Sequence, residues 1–295
     1  MDGMINIYKE KGYTSHDVVA KLRGILKMKK IGHTGTLDPE AEGVLVVCLG
    51  KGTKLCNFLT DCQKTYRAVM RLGVATDTED MTGSILEERP VTVSEQQVLV
   101  AVASFQGTYQ QIPPMYSALK VNGRKLYELA REGQTIVREP REVQIFQIRV
   151  EKVELPYVTM VVECSKGTYI RSLCRDIGEK LGCLGAMAEL TRTRVGEFCV
   201  EDAITLKEVE QRVQAGELEN CLVPVDNMFV KYPQIVVPPE RNKAVDNGNS
   251  FSLEGVRMAP GRVRIYKEDG TFIGLYQCDE EGLFTPCQLF FVRGR

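Results

Sequence analysis

The sequence predicts an α+β fold followed by a small all-β domain, and three observations carry that reading. The segment TYRAVMRLG (65–73) alternates, with Tyr66, Ala68, Met70 and Leu72 on one side and Arg67, Val69 and Arg71 on the other, which is the period of a half-buried strand. Helical stripes with apolar residues three and four apart stand among such segments, several of them behind capping residues. From PVDNMFVKYP (224–233) onward, short apolar runs are broken by Gly255, Gly261, Asp269-Gly270, Gly274 and Gly282, the texture of a small β-barrel. A boundary is therefore placed near residue 230.

Taken in order, TSHDVVAKLRGILK (14–27) predicts a helix with Ser15 as its cap and Val18, Val19, Leu22, Ile25 and Leu26 on one stripe. The basic cluster Lys27, Lys29, Lys30 follows, then the loop GHTGTLDPEAEG (32–43) and the apolar run VLVVCL (44–49), a buried strand. KLCNFLT (54–60) fits a short helix, and DTEDMTG (77–83) is a polar turn. Ser94 and Gln97 have capping-box spacing at the head of a helix over 93–105. The stretch QIPPMYSALKVNGRKLYELAREG (111–133) combines a Pro-Pro break, an extended piece, an Asn-Gly turn and a short helix, with Lys120, Arg124 and Lys125 in its middle. It reads as an arm inserted into the domain and reaching to about residue 140. Residues 142–165 predict two strands meeting near Pro156, and 165–182 a helix ending at Gly182. Residues 206–213 are a further helix, and RVRIY, FIGLY and QLFFV are the strands of the C-terminal barrel.

Composition narrows the function classes. The chain has 295 residues and is 43% hydrophobic, enough for a real core, yet its apolar runs are far too short to span a bilayer. No membrane association is expected, and MDGMINIYKEKG lacks the features of a secretory signal, so the expected location is cytoplasmic. The ten cysteines form no C-x-x-C pair and read as reduced thiols. His16 and His33 are the only histidines, too few for a usual structural zinc site. The acidic loop at 38–42 lacks EF-hand spacing, and GKGTK (50–54) lacks the spacing of a phosphate loop. No metal and no cofactor is expected.

The net charge of −1 argues weakly against a nucleic-acid partner, but its distribution argues the other way. Residues 1–75 carry +5 and 101–175 carry +4, against −5 over 76–100 and −6 over 176–230. If the two basic blocks share a face, they suit a phosphate backbone; otherwise they are an ordinary solvated surface.

Three features remain: the Asp38 loop, Lys64-Thr65-Tyr66-Arg67, and Lys166 to Arg171. Singly, each has an ordinary structural reading. An Asp-Pro is usually a turn, a strand tyrosine is usually core, and a helical arginine is usually surface.

Together they resemble the TruB family of tRNA pseudouridine synthases. The resemblance rests on GHTGTLDPEAEGVLVVCLG (32–50), DCQKTYRAVMRLGVATDTEDMTG (61–83), QIPPMYSALKVNGRKLYELAREG (111–133), CSKGTYIRSLCRDIGEKLG (164–182) and AELTRTRVGEF (188–198), in the family's order and spacing. It implies a pseudouridine synthase catalytic domain over 1–229, with a mixed, largely antiparallel sheet flanked by helices, and a PUA-like RNA-binding barrel over 230–295. It also implies isomerisation of uridine to pseudouridine at position 55 in the T-loop of tRNA. In that reaction the target base is flipped out, its bond from ribose to N1 breaks, and the base rejoins through C5.

By the same resemblance Asp38 is the essential carboxylate, as nucleophile or as an aid to base departure, with Arg171 as its cationic partner. Tyr66 stacks on the target base. Lys64, Tyr169 and Leu190 line the pocket, and His33 enters the loop that the flipped nucleotides leave. Lys120, Arg124 and Lys125 lie on a mobile arm that closes over the T-loop and T-stem. The enzyme is expected to act as a monomer. The departures from the family are an acidic loop, with Glu40 and Glu42, and a pI near 6.3, low for an RNA binder.

Three rival readings have weaker support. A non-catalytic tRNA-folding chaperone on the same fold has no need of Asp38, Tyr66 and Arg171 together. An RNA-guided relative is expected to carry long basic tails. A glycosidase needs two carboxylates farther apart than one short loop provides.

Overall fold

The apolar run at 44–49 is buried on both of its faces, and the rest of the fold is arranged around that fact. In the computed structural model, which describes residues 1–121, 123–253, 255 and 258–291, the chain begins with β1 (Gly3–Lys9), α1 (Ser15–Leu26), β2 (Ile31–His33) and β3 (Glu42–Leu49). A 3-10 turn leads to α2 (Cys56–Thr60), β4 (Lys64–Leu72), the hairpin β5 (Val74–Thr76) and β6 (Ile85–Glu88), α3 (Glu95–Ala103) and β7 (Gly107–Gln111). The inserted arm holds β8 (Lys120–Val121), β9 (Arg124–Lys125) and α4 (Leu126–Arg131). Then come β10 (Arg141–Glu154), β11 (Tyr157–Cys164), α5 (Ile170–Lys180), β12 (Gly185–Val195), β13 (Phe198–Cys199) and α6 (Leu206–Ala215). The C-terminal part is β14 (Gln234–Val237), α7 (Asn242–Asp246), β15 (Phe251–Ser252), β16 (Gly261–Lys267), β17 (Phe272–Cys278) and β18 (Leu283–Leu289).

The main sheet runs β1-β3-β12-β4-β11-β10-β7, with β2 beside β3 and β13 beside β12. It is antiparallel except where β12 meets β3, with Thr191 opposite Glu42 and Arg192 opposite Gly43. The α+β class with a mixed, largely antiparallel sheet is thus the observed one. The expected small barrel is a curled five-stranded sheet, β14-β16-β17-β18-β15, with its own core around Val263, Ile265, Tyr276 and Phe284.

Strand periodicity explains the burial of β3. Leu45, Val47 and Leu49 pack with α1 and α6 through Val18, Leu22 and Val209, while Val44, Val46 and Cys48 point the other way, towards Leu55, Leu59, Phe198 and Phe229. That second cluster takes in Leu275 and Phe290 of the C-terminal part. Phe229 lies 5.8 Å from Phe58, 6.3 Å from Phe272 and 5.7 Å from Phe290, centroid to centroid. Across β4, β10, β11 and β12, the inward residues Ala68, Met70, Ile145, Val162 and Leu190 meet Val98 and Val102 of α3 and Leu173 and Ile177 of α5.

The cap of α1 differs from the expectation. Thr14 is the N-cap, accepting from the Asp17 amide at 3.1 Å, and Ser15 is fully buried. The Ser15 hydroxyl instead accepts from the Leu37 amide at 2.9 Å, so a residue that fits a cap serves a long-range contact. Ser94 and Gln97 do form the capping box of α3. The Asn-Gly turn expected at 122–123 falls on Asn122, and the end of QLFFV on Val292, both outside the described residues.

Candidate active site

Asp38 lies in the loop joining β2 to β3, and three buried side chains hold that loop. Lys9, at the end of β1, is fully buried and its Nζ donates to the carbonyls of Pro39 at 3.0 Å and Ala41 at 2.6 Å. Burial pushes its ammonium down to about 8, with Asp38 and Glu40 pulling the other way. Arg192 of β12, also buried, donates from Nε to the Val44 carbonyl at 2.7 Å and from Nη2 to the Gly35 carbonyl at 3.1 Å. Ser15 holds Leu37, one residue before Asp38. At Gly43, φ is 101° and a Cβ would stand 2.3 Å from the Arg192 carbonyl oxygen, so this pairing of β3 with β12 requires glycine.

Arg171, in the first turn of α5, meets Asp38 as a fork. Its Nε lies 3.0 Å from Oδ2 and its Nη2 lies 3.2 Å from Oδ1. The rest of the guanidinium is also engaged, with Nη1 donating to the Thr78 carbonyl at 3.1 Å and Nη2 to the Tyr116 carbonyl at 2.9 Å. The Arg171 side chain is 6% exposed and that of Asp38 39% exposed, so the carboxylate is the member of the pair open to a reactant.

The polar turn 77–83 is the second support. Asp80 accepts through Oδ1 from the Thr78 and Thr82 hydroxyls and the Thr82 amide, while its Oδ2 lies 3.9 Å from Arg171 Nε. Glu79 has a left-handed backbone, φ 64°, and its carboxylate accepts from Ser172 Oγ at 2.6 Å and from Arg175. The turn therefore clamps α5 at Arg171, Ser172 and Arg175.

Tyr66 projects from β4, with Val162 of β11 and Arg192 of β12 as its cross-strand neighbours. It is buried in the cluster that also contains Leu37, Ala41, Ile170 and Leu190. Burial pushes its phenol pKa up, and Arg192 draws it back. Leu190, opposite Ala68, supplies an apolar wall two residues along β12 from Arg192. Tyr169 is the N-cap residue of α5 and is held through its backbone. Its amide donates to Gln111 Oε1 at 2.8 Å, and its carbonyl accepts from Gln111 Nε2 at 3.0 Å.

His33 ends β2, and its ring stands edge-on to that of His16, with centroids 5.3 Å apart. Burial lowers its pKa below the usual imidazole value, and His16 and Arg192 add to the effect. Lys64 shares Tyr66's buried face, but its ammonium donates to the carbonyls of Thr60 and Cys62 at the end of α2. On the arm, Lys120 and Arg124 are exposed. Arg124 is paired with Glu132, and Lys125 leans on the Tyr127 ring at 5.3 Å.

The structure thus joins Asp38, Arg171, Tyr66 and Leu190 in one place, with Tyr169 and His33 on flanking segments, while Lys64, Arg124 and Lys125 are engaged elsewhere and Lys120 is exposed. Lys9, Asp80, Arg192 and the Tyr116 carbonyl were not among the expected site residues. Asp80 and Arg192 stand inside the motifs DTEDMTG and AELTRTRVGEF, whereas a backbone carbonyl leaves no mark in a sequence. Among the described residues no group of His, Cys, Asp and Glu could hold a metal, and no helix is long and apolar enough to cross a membrane.

Two family models cover most of the chain. The model of the TruB family pseudouridylate synthase N-terminal domain matches residues 23–170, and that of the tRNA pseudouridylate synthase B C-terminal domain matches 171–230. The chain is similar to tRNA pseudouridine synthase B of Lachnoclostridium phytofermentans, at 53% identity over 98% of this chain and 100% of the relative. It is likewise similar to that of Alkaliphilus oremlandii, at 49% identity over 84% of this chain and 82% of the relative. Among solved structures, it matches a chain of an H/ACA RNP bound to a substrate RNA containing 2'-deoxyuridine. That match has TM-score 0.71 and 26% identity, covering 99% of this chain and 86% of the other.

Proposed function

The chain belongs to the TruB family of pseudouridine synthases, and from that premise we propose that it converts uridine to pseudouridine at position 55, in the T-loop of tRNA. At the coarser level of the family, the protein is a tRNA pseudouridine synthase, an isomerase. The observation that carries the site assignment is the two-point pairing of Asp38 with Arg171.

The target uridine leaves its stack, at a cost of a few kcal/mol that protein contacts offset. His33, on the rim of the loop, fills the space it leaves. The base lies along Tyr66 with Leu190 behind it, a flat and apolar seat that lets the ring turn while remaining enclosed. Asp38 then acts on the ribose and base system, as nucleophile or by assisting departure of the uracil. The fork of Arg171 fixes which carboxylate oxygen faces the sugar, and Lys9 and Arg192 keep the loop from yielding. The detached uracil rotates and bonds through C5; C5 gives up its hydrogen as a proton, N1 takes one up, and the Asp38 carboxylate is released unchanged. Atoms balance without oxidant, reductant or leaving group.

The test is tritium release from a tRNA transcript labelled at uracil C5. Wild type should release label, Asp38→Asn should fall by about 10⁴-fold or more with tRNA binding nearly unchanged, and a transcript with cytidine at position 55 should release none above background. Undiminished turnover by Asp38→Asn would remove Asp38 from the centre of the reaction. Undiminished release from the position-55 transcript would move the target elsewhere.

A further inference from the structure

The face shared by α1 and β2 ends in a cluster of cations that the reaction does not use. His16, Ala20, Arg23 and Lys27 follow one another at helical spacing along α1, and all are exposed. β2 runs back beside this row. At one end the His16 ring rests against His33, and further along Arg23 Nη2 donates to the Ile31 carbonyl at 3.3 Å. At the far end Arg23, Lys27, Met28 and Lys29 line an open recess of about 440 Å³, with exposed Lys30 next to it in sequence. Between Asp17 and Asp38 the chain has five lysines and arginines and no carboxylate. None of Arg23, Lys27, Lys29 and Lys30 forms an ion pair among the described residues.

A cation at the end of a helix complements its dipole, and that suffices for Lys27. It does not account for Lys29 and Lys30, which lie past the helix. Lys27 also stands in the left-handed conformation, φ 49°, where glycine is usual, so a cation occupies a position that does not favour a side chain. The small Ala20 leaves the row open between His16 and Arg23.

We infer that this face is a phosphate-backbone track, along which the tRNA strand leading away from the flipped nucleotide runs from His33 to Lys29 and Lys30. His33 and Lys29 are four residues apart, so the track spans at most about 14 Å, room for only a few phosphates. The inference rests on the proposed tRNA substrate, since it is the nucleotide next to His33 that sets the start of the track.

The experiment is the salt dependence of kcat/KM on a tRNA transcript for wild type and for the triple variant Lys27→Gln, Lys29→Gln, Lys30→Gln. Each lost phosphate contact lowers the slope of log kcat/KM against log salt by about 0.7 to 0.9, so the triple should lose about 2, with the defect carried by KM. A control with Lys207→Gln, exposed on α6, should keep the wild-type slope. An unchanged slope in the triple, or an equal fall in the control, would overturn the track. If the triple melts early, Lys30→Gln alone decides, with an expected fall of about 0.7. Wild type inactive on tRNA would defeat the functional reading itself, whereas an active wild type with an unmoved triple would defeat only the track.

Discussion

One nitrogen of Arg171 joins two parts of the chain: Nη2 lies 2.9 Å from the Tyr116 carbonyl oxygen on the inserted arm and 3.2 Å from Asp38 Oδ1. A second arginine of α5 reaches the same segment, with Arg175 Nη2 donating to the Ile112 carbonyl at 3.2 Å. The arm is therefore docked through its backbone, by groups that do not depend on the identity of its side chains.

Replacing Arg171 with lysine should lower turnover by about 10² to 10³-fold. Lysine keeps the charge but has no fork to orient the carboxylate, and it leaves acceptors such as the Thr78 and Tyr116 carbonyls without their donor. The stability cost should be about 1 to 3 kcal/mol in urea. Near wild-type kcat in Arg171→Lys would show that charge alone suffices.

Tyr66 has two separable contributions, its ring and its hydroxyl. Tyr66→Ala opens a cavity in the core shared with Leu37 and Leu190 and should cost about 3 kcal/mol in stability. Tyr66→Phe keeps the packing. Turnover should fall further in Tyr66→Ala than in Tyr66→Phe, measured on folded protein at low temperature. Equal losses would assign the hydroxyl, and so proton transfer, the larger part.

The buried Lys9 should leave a mark on the pH dependence of stability. Its ammonium has an ordinary value of 10.5 and is pushed down to about 8 in the fold. Between those values the unfolded chain binds a proton that the folded chain does not, so this group adds stability as pH rises from about 8 to 10.5. The stability difference between wild type and Lys9→Met, followed in urea, should move in favour of wild type from pH 7 to pH 10. A constant difference would mean that the lysine is not depressed. The variant should also turn over more slowly, because Pro39 and Ala41 lose the donor that holds the Asp38 loop.

Gly43→Ala should cost about 2 to 5 kcal/mol, because a left-handed backbone and a backbone oxygen 2.3 Å from the new Cβ leave nothing flexible to yield. Thermal melting measures it. A loss under 1 kcal/mol would require β3 and β12 to separate without effect on the sheet.

How far the sequence reveals this structure depends on what each segment faces. β4 and β11 are legible because one side of each is core and the other is not, so the alternation survives in the residues. α1, α3 and α6 are legible from their stripes. β1 and β12 are not. GMINIYK is buried along nearly its whole length and shows no alternation, and β12 places the charged Arg192 in a fully buried position, which breaks the apolar pattern. The site divides in the same way. Asp38, Tyr66 and Arg171 are recognisable from their motifs, yet the supports that fix them are a lysine at a strand end, an arginine inside a sheet and several carbonyls, whose roles exist only once distant segments meet.

The phenylalanines around Phe229 have a mechanical consequence. A module hung on a slack tether samples many bearings, and a partner that touches it must first freeze it. Here Phe229, with Phe58 against it, is packed with Phe272 and Phe290 of the C-terminal part, so the bearing of that part is fixed when the chain folds. An RNA that reaches both Asp38 and that part meets two surfaces with a set separation, and the protein then works as a gauge of the RNA's dimensions as well as of its bases.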